Sequence, residues 1–189
     1  MAYESVTLSR DCEAIQIPYG SKIKLSKGAQ VKITQSLGGT YTVMMDSGYM
    51  VRISGEDADA IGKQASSAGT GLKPALTAES VKDVPLEKLV WAELRTCYDP
   101  EIPVNIVDLG LVYECRLTPL PEPEGGTKVD VKMTLTAPGC GMGDSLKRDA
   151  EAKIGRLPGI KGVNVELVWE PAWNQSRMSQ AAKLQLGLM

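Results

Sequence analysis

The chain has 189 residues, 43% hydrophobic and 23% charged, with a net charge of −2, ordinary proportions for one or two globular domains. Lysine and arginine form no dense cluster, which argues against a surface that tracks nucleic-acid phosphates. Histidine is absent, so an imidazole base, a His-ligated zinc and a Ser-His-Asp triad are all closed.

The stretch from Met1 to Arg10 has no basic segment followed by an apolar run, and nowhere are about 18 consecutive residues apolar. A cytoplasmic protein without a membrane partner is the expectation. Residues 1–60 read as a small antiparallel β-rich domain, barrel-like or a meander. Ser21 to Leu25, Ala29 to Gln35, Thr40 to Met45 and Tyr49 to Ser54 are rich in Val, Ile, Tyr and Thr. Leu37-Gly38-Gly39 and Asp46-Ser47-Gly48 supply hairpin turns, and Asp57 to Ile61 reads as a last short turn. Residues 61–78 carry glycine, serine and proline without periodicity and read as a linker.

Residues 79–173 read as a domain ordered helix, strand, strand, helix, strand. Leu86, Leu89, Val90 and Leu94 share one helical face after Asp83 and Pro85, and Pro100 and Pro103 end that helix near Cys97. Leu109 to Leu117 is the first strand, with Leu111, Tyr113, Cys115 and Leu117 on one face. In the second, Val129, Val131, Met133 and Leu135 alternate with Lys128, Asp130, Lys132 and Thr134. Leu146, Ala150, Ile154 and Leu157 mark a helix that stops at Pro158-Gly159. Val163 to Trp169 closes the domain, with Val163, Val165, Leu167 and Trp169 inward. The class expected is α+β, a mixed sheet covered by helices and preceded by the β-rich domain. Residues 174–189 form a weakly amphipathic tail, helical at most, that could dock on the domain or on another chain.

The four cysteines, Cys12, Cys97, Cys115 and Cys140, form no CxxC pair, which disfavours a zinc ribbon, a thioredoxin-like pair and a ferredoxin-type cluster. Cys97 and Cys115 fall on apolar faces and read as core; Cys12, in Arg10-Asp11-Cys12-Glu13, reads as exposed. Trp91, Trp169 and Trp173 read as packing residues. The segment from Thr136 to Ser145 joins a strand to a helix and contains Gly139, Cys140, Gly141, Gly143 and Asp144. Its glycines let the backbone approach a bound group, and the amides of the following helix favour an anion there. That field favours a Cys140 thiolate, a better nucleophile and metal ligand than the thiol. A tight turn with Cys140 filling an apolar gap is the plainer alternative. Asp99-Pro100-Glu101-Ile102-Pro103 is the second constellation. Asp99 and Glu101 could complete a mixed metal site beside a thiolate, or Asp99 could simply cap a turn; for Asn105 and Asp108, capping is the default.

The run from Asp99 to Tyr113, together with Thr136-Ala137-Pro138-Gly139-Cys140-Gly141-Met142-Gly143, resembles the metal–sulfur cluster biosynthetic domain family. The likeness covers roughly Glu79 to Trp173. The β-rich segment and the ending from Arg177 to Gly187 resemble the longer form of that family. The resemblance implies an accessory factor in iron–sulfur cluster assembly or protein maturation, a transient carrier or adaptor, with no established catalytic reaction. It places the family's motif cysteine at Cys140 and its acidic motif at Asp99 and Glu101; Thr136, Asp108 and Asp144 are read beside them as supporting residues. It further implies at most a transiently bound iron–sulfur cluster or iron, and partners among the assembly machinery and client apoproteins. A homodimer built on a strand edge or the tail stays open. Two other readings of the residues are an anion- or phosphate-binding module and a cysteine-dependent enzyme using Cys140.

Overall fold

The computed structural model describes residues 4–64, 84–123, 125–137 and 141–188. The chain divides into two compact units, residues 1–69 and, apart from 140–142, residues 70–189. Most of the expected linker lies outside the described residues, as do Gly139 and Cys140.

The first unit is a six-stranded antiparallel sheet. Its strands are β1 (Glu4–Thr7), β2 (Cys12–Ile17), β3 (Lys22–Leu25), β4 (Gln30–Leu37), β5 (Thr40–Met45) and β6 (Met50–Ile53), in the order β1-β4-β5-β6-β2-β3. The β4–β5 turn uses Gly38 and Gly39 at φ 61° and 75°, the left-handed values that a two-residue hairpin with the twist of its strands requires. A 3₁₀ turn, Gly55–Ile61, follows β6 and is capped by the Ser54 hydroxyl, which accepts from the Glu56 N–H.

Strands β1 and β2 are additions to the sequence reading, and with β2 comes a correction. Cys12 was expected to be exposed, yet it opens β2 opposite Leu25 and is buried at 5% exposure. The polar neighbours misled because they face outward: Arg10 pairs with Asp57 and Asp59, Asp11 with Lys24, and Glu13 with Lys22. The buried positions at its start are the short side chains Cys12 and Ala14, too weak a signal for a strand.

The second unit runs α1 (Leu86–Leu94), β7 (Val112–Pro119), β8 (Thr127–Met133), α2 (Gly143–Gly155), β9 (Ile160–Leu167), a 3₁₀ turn (Gln175–Arg177) and α3 (Gln180–Gln185). Strand β7 pairs antiparallel with β8, and β8 parallel with β9, giving a mixed three-stranded sheet. Val129, Val131, Met133 and Val165 are buried. So are Leu146, Ala150 and Ile154 of α2 and Leu89, Val90 and Leu94 of α1. The alternation of β8 and the helical spacing of α2 are thus realised residue by residue.

Three details depart from the sequence reading. Strand β7 begins at Val112, and Leu109 and Leu111 are buried in the turn before it. Thr134 is buried instead of facing out, because β8 ends at Met133 and the Thr134 N–H turns to the Leu111 carbonyl at 2.8 Å. Trp169 is 45% exposed instead of inward, since β9 stops at Leu167 and β8 extends no further to pair with it. Among the described residues no helix is long and apolar enough to cross a membrane.

Candidate functional site

The acidic motif leaves α1 and enters β7 as a loop held from within by its own side chains. Asp99 is buried at 7% exposure, and its Oδ1 accepts from the N–H groups of Glu101 at 2.9 Å and Ile102 at 3.1 Å. This is the capping geometry that aspartate favours before proline, where one carboxylate oxygen replaces a missing backbone acceptor. Glu101 is exposed. Tyr98 and Asn105 form an antiparallel bridge, and the Ile106 N–H donates to the Cys97 carbonyl at 2.9 Å, closing the loop at its base.

Asn105 organises the second half. Its Oδ1 accepts from the N–H groups of Val107 at 3.1 Å and Asp108 at 2.9 Å, while its Nδ2 donates to Asp108 Oδ2 at 2.6 Å. The half-buried Asp108 carboxylate is therefore aimed by a side chain as well as by the backbone.

Both ends of the loop are tied to the elements that carry the second motif. At its end, the Thr134–Leu111 bond joins it to the first residue after β8. At its start, Lys153 of α2, 4% exposed, donates from Nζ to the Thr96 carbonyl at 2.8 Å and lies 3.2 Å from Asp149 Oδ2. Thr136 is half-buried just beyond β8, and Asp144 is exposed in the first turn of α2, where its charge complements the helix dipole. Gly143 opens α2; a Cβ there would stand 2.8 Å from Leu135 Cδ1 and 3.0 Å from Leu167 Cδ1. Its missing side chain thus lets the helix start close to the ends of β8 and β9.

The remaining thiols are poorly suited to chemistry. Burial, with the charge of Glu87 adding to it, pushes the Cys115 thiol up to about 11, so it is protonated at neutral pH. Burial and the nearby Asp57 also raise Cys12, and Cys97 is fully buried. Among the described residues, no three Cys, Asp or Glu side chains are gathered for a metal ion.

Sequence reasoning missed the buried charges between α1 and α2. Glu93 is 2% exposed, and among the described residues neither carboxylate oxygen has a hydrogen-bond partner. Burial raises its pKa; Lys153 and Arg156 act against that shift, and Asp149 adds to it. Both Glu93 and Lys153 occupy apolar-stripe positions, Glu93 four after Leu89 and Lys153 three after Ala150. That spacing was a readable signal.

Residues 87–167 match the iron–sulfur cluster assembly protein family model. The Fe-S protein maturation auxiliary factor of Porphyromonas gingivalis is 45% identical over 96 residues, 51% of this chain and 86% of that protein. The Fe-S protein maturation auxiliary factor SufT of Staphylococcus aureus is 39% identical over 90 residues, 48% of this chain and 96% of its own. A crystal structure of a domain of unknown function, DUF59, from Bacillus anthracis is 33% identical and covers 55% of this chain and 93% of that one, with a TM-score of 0.47. The chain belongs to the iron–sulfur cluster assembly family, as its two motifs implied. The six-stranded sheet, described over residues 4–64, lies outside the matched residues.

Proposed function

We propose that this chain is a cytoplasmic accessory factor in the maturation of iron–sulfur proteins, handling a cluster or iron as cargo through Cys140. The observation that carries the reading is 45% identity to a maturation auxiliary factor across most of that protein's length. The state of the other thiols supports the choice of Cys140, since Cys12 and Cys97 are core residues and Cys115 is held protonated. The start of α2 at Gly143, three positions beyond Cys140, supports an ionised sulfur, because helix N-terminal amides stabilise a thiolate.

Clusters usually take four protein ligands. One available thiolate per chain leaves the remaining ligands to a second copy, to carboxylates such as Asp99 and Glu101, or to the partner itself. The partners are therefore the assembly machinery and client apoproteins, and the chain works as a transient carrier or adaptor. Residues 1–60 act as an attached β-rich module, joined through 61–78 to the 79–173 domain and its tail, 174–189.

The test is the activity of a [4Fe–4S] dehydratase in cells lacking the chain. Activity is expected to fall, to recover with the wild-type gene and to stay low with Cys140→Ser. Full recovery with Cys140→Ser removes Cys140 from the mechanism, and unchanged activity in the deletion removes the function.

A further inference from the structure

The C-terminal tail has no part in the reading above, yet it is bound to the acidic loop along its length. Three donors, Trp173 just before the tail and two within it, meet three carbonyls of the loop: Trp173 Nε1 on Leu109 at 2.9 Å, the Ser179 N–H on Asp108 at 2.9 Å, and Gln185 Nε2 on Pro103 at 2.6 Å. In return, the Tyr113 hydroxyl donates to the Pro171 carbonyl at 2.8 Å, and the Arg177 guanidinium lies 4.2 Å from the centre of the Tyr113 ring, within cation–π range. Gly110 stands at φ +72°, and a Cβ there would fall 2.3 Å from the Arg177 carbonyl oxygen. The tail thus presses on bare backbone. Met178 and Ala182, 7% and 1% exposed, anchor it.

These contacts share one property. All three donors reach backbone carbonyls, and none is spent on the carboxylate of Asp99, Glu101 or Asp108. A strap that neutralised the loop would do the opposite. The strap holds the main chain and leaves the acidic side chains to be directed by it. The loop's two ends are already tied to α2 and β8, and the strap fastens its middle, at Pro103, Asp108 and Leu109.

We infer that residues 171–186 are a clamp that positions the acidic loop for handling of the cargo, with Trp173 and Gln185 as positioning residues; the cargo rests on the function proposed above. A donor lost at either residue frees a loop carbonyl, and the loop then samples other conformations without the domain unfolding.

The experiment is amide hydrogen exchange on the full chain, paired with dehydratase activity in the deletion cells. Trp173→Phe keeps an aromatic ring and removes the donor. Gln185→Leu does the same at an exposed position, and Gln185→Lys restores an N–H donor. The amides of Ile106, Leu109, Gly110 and Leu111 are expected to exchange roughly three- to tenfold faster in the first two variants, the range that follows from losing one hydrogen bond. Those of α2 and β8 keep their rates, and the melting temperature holds. Dehydratase activity falls with the loop's protection and recovers in Gln185→Lys. Faster exchange confined to residues 171–188, or no recovery of loop protection in Gln185→Lys, overturns the clamp. Faster loop exchange with full dehydratase activity, where Cys140→Ser has none, overturns its positioning role. If Cys140→Ser is itself fully active, the failure belongs to the proposed role of Cys140, and the exchange rates still decide the clamp.

Discussion

The two units of this chain spend their polar groups differently. In the β-rich unit the ion pairs lie at the surface, as with Arg10 on Asp57 and Asp59, Lys24 on Asp11 and Lys63 on Glu4. The α+β unit has surface pairs too, as with Lys128 on Asp130, but three of its long-range ties run from side chain to backbone and converge on one loop: Lys153 to Thr96, Trp173 to Leu109 and Gln185 to Pro103, across 57, 64 and 82 residues. Surface pairs are screened and add little to stability, whereas donors that satisfy loop carbonyls, buried at Lys153, part-buried at Trp173 and exposed at Gln185, hold one conformation of the loop against many. The first arrangement makes a scaffold. The second holds one irregular loop in place, the loop to which the proposed cargo handling is assigned.

The largest expected effect tests that contrast directly. Lys153→Ala strips the partner from the Thr96 carbonyl and from Asp149 in a buried setting, and is expected to lower stability by about 3–5 kcal/mol in a denaturant titration. Arg10→Ala, at the surface of the other unit, should leave the midpoint almost unmoved. Equal losses would erase the distinction.

Glycines sharpen it at a smaller scale. Gly110 and Gly48 both have positive φ, at 72° and 85°. A Cβ at Gly48 meets open space, whereas one at Gly110 meets the Arg177 backbone. Gly48→Ala should cost about 1–2 kcal/mol for the conformation alone. Gly110→Ala should exceed it and should also raise the protease sensitivity of residues 171–188. Equal melting shifts for the two would mean that the tail is not pressed on the loop.

The smallest effect is a slope. Burial raises Glu93 above its ordinary value of 4.5. Below that value both the folded and the unfolded chain hold the proton, so Glu93 contributes no pH dependence. Above it the unfolded chain releases a proton that the folded one keeps, so stability falls as pH rises toward the folded-state pKa and is level beyond. Glu93→Gln removes the titrating group, and its stability–pH profile should be flatter than that of the wild type across that window. An unchanged slope would show that Glu93 ionises freely in the fold.

Much of this was legible along the chain. Strands β4 to β6, β8 and both longer helices follow from side-chain periods of two and 3.6 with glycine and proline at their ends. The two motifs stood out because proline and glycine density is itself local information. What escaped had a local reason too: β2 offers only Cys12 and Ala14 on its inward face near its start, and Trp169 looked inward only while β9 was read two residues too long.

The sequence by itself determined the mixed α+β class, the order from α1 to β9 in the second unit, and the family, since each rests on short-range pattern. Only the tertiary structure decided what holds the acidic loop from outside: that a lysine from α2 meets the end of α1, and that the C-terminal tail folds back on Pro103, Asp108 and Leu109. The physical reason is distance along the chain. A carbonyl accepts from whichever donor the fold brings to it, and nothing in the residues near Leu109 names a tryptophan 64 positions away.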